Sequence, residues 1–124
     1  MKKMIVRKSN GNFKNFDCID IQLMDNFTKR LKGLMFTKQL AINEGALFVN
    51  KSENKIDSAI HMLFMNFDIA VFWINNSNFI VDKAIAKKWY PLYYPRAKAS
   101  KILETHVNNY EQLQIGDQII IESN

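Results

Sequence analysis

Cysteine is nearly absent from this chain: Cys18 stands alone, so no internal disulfide can staple the fold. It lies in a stretch that alternates apolar and polar residues as a strand does, where a free cysteine is usually a buried, inert thiol. The competing reading is a reactive nucleophile. Glycine is scarce, with four residues in all, and neither a Walker loop nor a G-x-G-x-x-G turn occurs, which argues against nucleotide-dependent catalysis. A G-x-S-x-G elbow is also missing, and spacing gives Ser58 and Ser100 no partner base. Long apolar runs are lacking as well. The longest, Ile69–Ile74, falls far short of a bilayer span. Residues 1–12 carry Lys2, Lys3, Arg7 and Lys8 without the apolar centre of a signal peptide. With no export signal and no cysteine pair, a reducing cytoplasm is the expected location.

What the sequence does hold is enough for a core. Its 124 residues, 48% apolar and 12% aromatic, fit one domain over residues 1–124 that needs no metal or disulfide to fold. The net charge of +5 is unevenly spread: residues 1–16 hold only cations, and residues 82–101 hold Lys83, Lys87, Lys88, Arg96, Lys98 and Lys101 against Asp82. Such an excess favours encounter with polyanions, although a solvated lysine surface is the plainer reading.

Periodicity supplies the elements. Met4–Ile5–Val6 reads as a first strand. Residues 17–23 alternate with period two, and Phe27, Leu31, Leu34 and Met35 fall on one helical stripe. Residues 46–49 and 57–63 read as short strands, and Ile69–Ile74 as a central strand covered on both faces. Asn75 to Asn78 form a turn into a partner strand over residues 79–85. Pro91 and Pro95 break residues 89–96 into an aromatic loop. Residues 101–106 are a candidate strand, Asn109 and Gln112 resemble a capping box, and Gly116–Asp117 turns into a final strand over residues 118–122. About seven short strands and two short helices predict a β-rich α+β fold, a small closed or half-closed barrel.

Five pieces of sequence, in order, resemble domain of unknown function family 192. They are Arg30-Leu31-Lys32-Gly33-Leu34-Met35, Gly45-Ala46-Leu47-Phe48, Ile60-His61-Met62 with Met65, Ile102-Leu103-Glu104, and Ile115 with Gly116-Asp117. The resemblance implies a compact β-rich fold and no established activity. Two departures stand out. Where the family pattern has Pro-Ile-Asp, this chain has Asp68-Ile69-Ala70, so the acid at position 70 is gone unless Asp68 replaces it. Asn108-Asn109 also stands near a usual glycine, where asparagine tolerates a left-handed turn.

Two candidate sites follow. Arg30, His61 and Glu104 lie in matched motifs and could form an acid/base or anion-binding pocket. The structural alternative is an Arg30–Glu104 ion pair beside a satisfied core histidine. Glu104 and His106 at i, i+2 with His61 would suit a two-His, one-carboxylate metal centre, but no H-x-x-x-H or second cysteine supports one, and no metal site is assigned. The second candidate is the basic aromatic surface Lys87, Lys88, Trp89, Tyr93, Tyr94 and Arg96. Its cations and rings suit a polyanion or protein partner, unless the rings fold back onto the core. The sequence therefore points to a non-catalytic binding or accessory module for a small ligand, polyanion or protein. A small hydrolase or metal-assisted enzyme using His61 and Glu104 is the alternative. Cofactor, ligand and oligomeric state are not specified.

Overall fold

A computed structural model describes residues 2–8, 10–16, 20–24, 40–42 and 44–123. Among these residues eight strands run in chain order: β1 Lys2–Arg7, β2 Phe13–Phe16, β3 Asp20–Met24, β4 Glu44–Asn54, β5 Ile69–Ile74, β6 Ile80–Ala86, β7 Ala99–His106 and β8 Gln118–Ser123. One short 3-10 helix, Val107–Gln112, connects β7 to the turn before β8. The expected helix over Phe27 to Met35, Cys18 and Arg30 all lie outside the described residues.

The strands form two sheets, with orders β2-β1-β8 and β3-β4-β7-β5-β6. Among the described residues these ladders do not close, so the expected small closed or half-closed barrel is corrected to two packed sheets with no closed barrel. All described pairings are antiparallel except β3 with β4. A parallel neighbour needs a long crossover rather than a hairpin, and residues 25–43 provide that length.

The five-stranded sheet is covered on both faces, which explains why β5 is apolar at every position and buried throughout. Ala70, Phe72 and Ile74 point to one side, joining Leu47, Leu103, Met4, Val6 and Ile119 between the sheets. Ile69, Val71 and Trp73 point to the other, with Ala46, Phe48 and Ile102. That second face is roofed by irregular chain: Ile60, Met62 and Met65 bury against it, and Phe67 and Tyr93 pack alongside.

Residues 57–63, expected as a strand, form turns with a single bridge, Ile60 to Tyr93. The alternation there was real, but its partner is the aromatic loop and not a sheet. The 3-10 helix is capped by His106, whose Nδ1 accepts from the Asn108 N–H at 3.0 Å. The expected cap, Asn109, is buried instead, and its amide donates to the Ile42 carbonyl and the Thr105 hydroxyl. Neither Asn108 nor Asn109 adopts positive φ, so the departure from glycine is absorbed by a helical turn rather than a left-handed one.

Candidate functional site

The roof over the second face is stitched by backbone hydrogen bonds. Ile60 and Tyr93 exchange both bonds, at 2.9 and 2.7 Å, Met62 N–H donates to the Tyr90 carbonyl and Trp89 N–H to the Met62 carbonyl. Alternate residues of the first segment therefore point inward, Ile60 and Met62, while His61 and Leu63 face solvent. The zipper brings residues 60–65 and 87–93 side by side.

Its tip is unusual. Phe64 and Trp89 both sit in the left-handed region, at φ 63° and 65°. Their rings meet edge to face with centroids 5.2 Å apart, yet they are 44% and 54% exposed. Leu63, Tyr90, Leu92 and Tyr94, in the same stretches of chain, are exposed as well. Tyr90 also stacks on Tyr93 at 4.7 Å. Tyr93 is the ring that folds back: it packs on the core, and its hydroxyl accepts from the Lys87 N–H at 2.8 Å.

The cations of this loop have different fates. Arg96 is clamped by Asp82, whose carboxylate accepts from Arg96 Nη2 at 2.7 Å, Nε at 3.1 Å and the backbone N–H at 2.8 Å. Burial pushes the Asp82 carboxyl up, but the bonds from Arg96 and from the Lys83 N–H outweigh it and hold the group below the usual carboxylate range. Asp68 accepts from the Lys88 N–H at 2.8 Å and from Lys87 Nζ at 3.4 Å. The backbone bond from Lys88, with Lys87 adding to it, keeps the Asp68 carboxyl low. Asp68 thus fixes the turn at Lys87 and Lys88, while Ala70 faces the layer between the sheets. Lys87, Lys88 and Arg96 themselves remain at the surface.

Glu104 lies elsewhere on the same covered face. Its cross-strand neighbours are Ala46 on β4 and Val71 on β5. Among the described residues its carboxylate has no hydrogen-bond or ion-pair partner, and burial pushes its pKa up to about 8. His61 is exposed, and its Nδ1 accepts from the Leu63 N–H. No hydrogen bond joins it to Glu104. Among the described residues no group of three or more His, Cys, Asp or Glu side chains could hold a metal ion. Ser58 is buried and donates to the Ala99 carbonyl, while its own carbonyl accepts from Trp73 Nε1.

Three of the five sequence pieces, around Ala46, Ile60 and Ile102, are neighbours in the fold. Ala46, Leu47 and Phe48 pair directly with Glu104, Leu103 and Ile102. Ile60, Met62 and Met65 cover that face. Gly116 adopts φ 97°, and the Asp117 carboxylate accepts from the Gln114 N–H and from Lys8 Nζ, both at 2.8 Å, locking the turn before β8. The DUF192 family, uncharacterized ACR, matches residues 6–121. The chain belongs to this family.

Among its curated relatives is a UPF0127 protein of Thermococcus kodakarensis, 38% identical over 101 residues that span 82% of this chain and 62% of that protein. A UPF0127 protein of Pyrococcus furiosus is 34% identical over 103 residues, covering 82% of this chain and 85% of its own. The matched region makes up less than two thirds of the three Thermococcus proteins, at 62%, 64% and 64%. The fold also matches two crystal structures. One, from Sinorhizobium meliloti and described as a candidate transcription regulator, has a TM-score of 0.83 at 17% identity, over 97% of this chain and 93% of that one. The other, a protein of unknown function from Novosphingobium aromaticivorans, has a TM-score of 0.80 at 16% identity, over 95% of this chain and 83% of that one. At these identities the likeness concerns the fold alone.

Sequence reasoning missed Phe64 and the Asp82 clamp. Phe64 gave no signal, since a phenylalanine two residues past a buried methionine reads as core. Asp82 could have been suspected as an acid within a β-strand pattern facing a downstream arginine.

Proposed function

We propose that this member of the DUF192 family is a non-catalytic binding module that docks an acidic protein partner on the aromatic edge made by residues 60–65 and 87–96. The observation that carries the reading is the pair Phe64 and Trp89, two non-glycine residues at positive φ whose rings touch and face solvent. Each such backbone costs about 1–3 kcal/mol. The fold sustains this strain while leaving both rings about half exposed. Exposed apolar clusters of this kind, rimmed by polar residues, mark interaction sites.

The chemistry of the edge selects the partner. Leu63 and Leu92 are exposed on the same two segments that carry the aromatics. Aliphatic side chains fill pockets in a protein surface but offer no flat face to a nucleobase. Lys87 and Lys88 lie beside the rings with exposed side chains, so carboxylates on the partner would be complementary. Arg96, committed to Asp82, serves the loop more than the partner. The hydrolase reading through His61 and Glu104 gains no contact between the two groups. The description of the Sinorhizobium relative as a candidate regulator of transcription makes nucleic acid the competing occupant.

The test is photocrosslinking in native host cells, with a benzophenone amino acid in place of Leu92 and, as control, in place of Gln114. The expected result is a protein adduct at position 92 that is absent at position 114. The partner should carry an acidic segment at the crosslink, and the adduct should weaken several-fold in the Lys87→Glu/Lys88→Glu background. No adduct above the control, or a nucleic-acid adduct, would overturn the reading.

A further inference from the structure

We propose that the cleft between the two sheets binds a small amphiphile, one carboxylate on a short aliphatic tail. This site is separate from the aromatic edge. The cleft holds a half-open pocket of about 270 Å³, lined among the described residues by Leu47, Val49, Ile74, Ile119 and Ile121, with Lys101 and Asn78. Ligand pockets are usually of this kind, mostly apolar with a few convergent polar groups, and this one falls just below the usual range of roughly 300–1,000 Å³. Its occupant must therefore be small.

Lys101 is the residue out of pattern. In register on β7 it lies between Val49 of β4 and Ile74 of β5, in the row that faces the other sheet. A cation there breaks the apolar alternation, and such local violations concentrate at functional sites. Its Nζ donates to Asn78 Oδ1 at 2.8 Å. An ammonium has three N–H donors, so two remain. Among the described residues no carboxylate pairs with Lys101, and no acceptor meets the Asn78 amide nitrogen. Both side chains line the same cavity and keep N–H groups beyond their mutual bond, a pair of donors that suits a carboxylate head.

Asn78 is also rigidly placed. It sits at φ 68° in the turn between β5 and β6, its N–H donates to the Asn75 carbonyl, and its own carbonyl accepts from the Ile119 N–H at 2.8 Å. The turn is thereby tied to β8, and the head-binding pair is held at the junction of both sheets. Leu47, Val49 and the isoleucines supply the tail site.

The experiment titrates butanoate, hexanoate, octanoate and decanoate into the protein while following the methyl resonances of Val49, Ile74 and Ile119. Affinity should rise about fourfold for each added methylene, as expected for about 0.8 kcal/mol per buried CH₂, and stop rising once the tail outgrows the cavity. Octanol should bind about tenfold more weakly than octanoate, having lost a charge-assisted hydrogen bond, and octylammonium should shift none of these methyls. Lys101→Met should reduce octanoate binding to the octanol level and leave octanol unchanged. Lys101→Gln serves if the methionine variant does not fold. Val49→Trp, with folding checked by circular dichroism, should abolish both. The proposal fails if millimolar octanoate shifts no cleft methyl, if the shifts fall on Leu63 and Leu92 instead, or if the Lys101 variants bind octanoate as tightly as the wild type.

Discussion

Glu104 places a carboxyl on the covered face of β7, between Ala46 and Val71, where burial pushes its pKa to about 8 from an ordinary 4.5. Between those values the folded protein holds a proton that the unfolded chain has released. Stability from this group is therefore complete below about pH 4.5, falls as pH rises, and levels off above about 8. Glu104→Gln keeps the shape and removes the titration. Urea unfolding at pH 5, 7 and 9 should show a falling midpoint for the wild type and a nearly level one for the variant, with the variant ahead at pH 9 by roughly 2–4 kcal/mol. Asp68 and Asp82 act with the opposite sign: both are held below the usual carboxylate range, so their contribution is present above it and lost as pH falls through their lowered values. The two windows do not overlap. Glu104 was legible as a residue of interest because it stands in Ile102-Leu103-Glu104, a piece that resembles the family pattern. That His61 points away from it was not, because which side of an irregular segment faces inward depends on its partner, here Tyr93.

At the scale of elements, the β5–β6 hairpin was the most readable part of the chain. An unbroken apolar run can only be a doubly covered strand or a buried helix, and Asn75 settles the turn by accepting from the Ser77 and Phe79 N–H groups. Strand β4 was read too short, as residues 46–49, because beyond Val49 it runs on through polar Lys51, Ser52 and Glu53 with a register shift. Its continuation is held by pairing rather than by burial, and polarity carries no sign of that. The pairing of β6 with β5 is also shifted, between Trp73 and Ile74, and Asp82 opposite Trp73 takes hold of Arg96. Asp82→Ala leaves the N–H groups of Lys83 and Arg96 without their acceptor, for an expected loss of about 1–2 kcal/mol. The exposed guanidinium adds little because water screens it. Thermal unfolding measures the loss, and amide exchange should quicken around Arg96 first. Gly116→Ala forces a Cβ onto a backbone at φ 97°, which should lower stability by about 1–2 kcal/mol with no change in the aromatic edge. Trp89 emission serves as the control.

At the scale of the molecule, the charge of +5 acts at long range on whatever approaches. If an acidic partner docks at the aromatic edge, Lys87→Glu/Lys88→Glu should slow association about tenfold or more and flatten its salt dependence, while dissociation changes less. Trp89→Ser should do the reverse, speeding dissociation. Stopped-flow or surface-based kinetics at two salt concentrations separates the two. The layered plan was only half visible in the sequence, since strand count follows from local patterns, whereas strand order and the parallel β3–β4 pair depend on distant segments. The pieces that resemble the family marked the centre without revealing it: Ala46-Leu47-Phe48 and Ile102-Leu103-Glu104 lie side by side across β4 and β7. That central place of β7, with β4 on one side and β5 on the other, also sets the order in which the protein can be born. On the ribosome β4 emerges long before β7, its neighbour on the side away from β3, and β5 and β6 can form only a lone hairpin until β7 follows. The apolar faces of that early chain have no permanent shelter during synthesis. Contacts so distant along the chain make for slow folding, and the half-made sheet is the stage most exposed to aggregation and most in need of a chaperone.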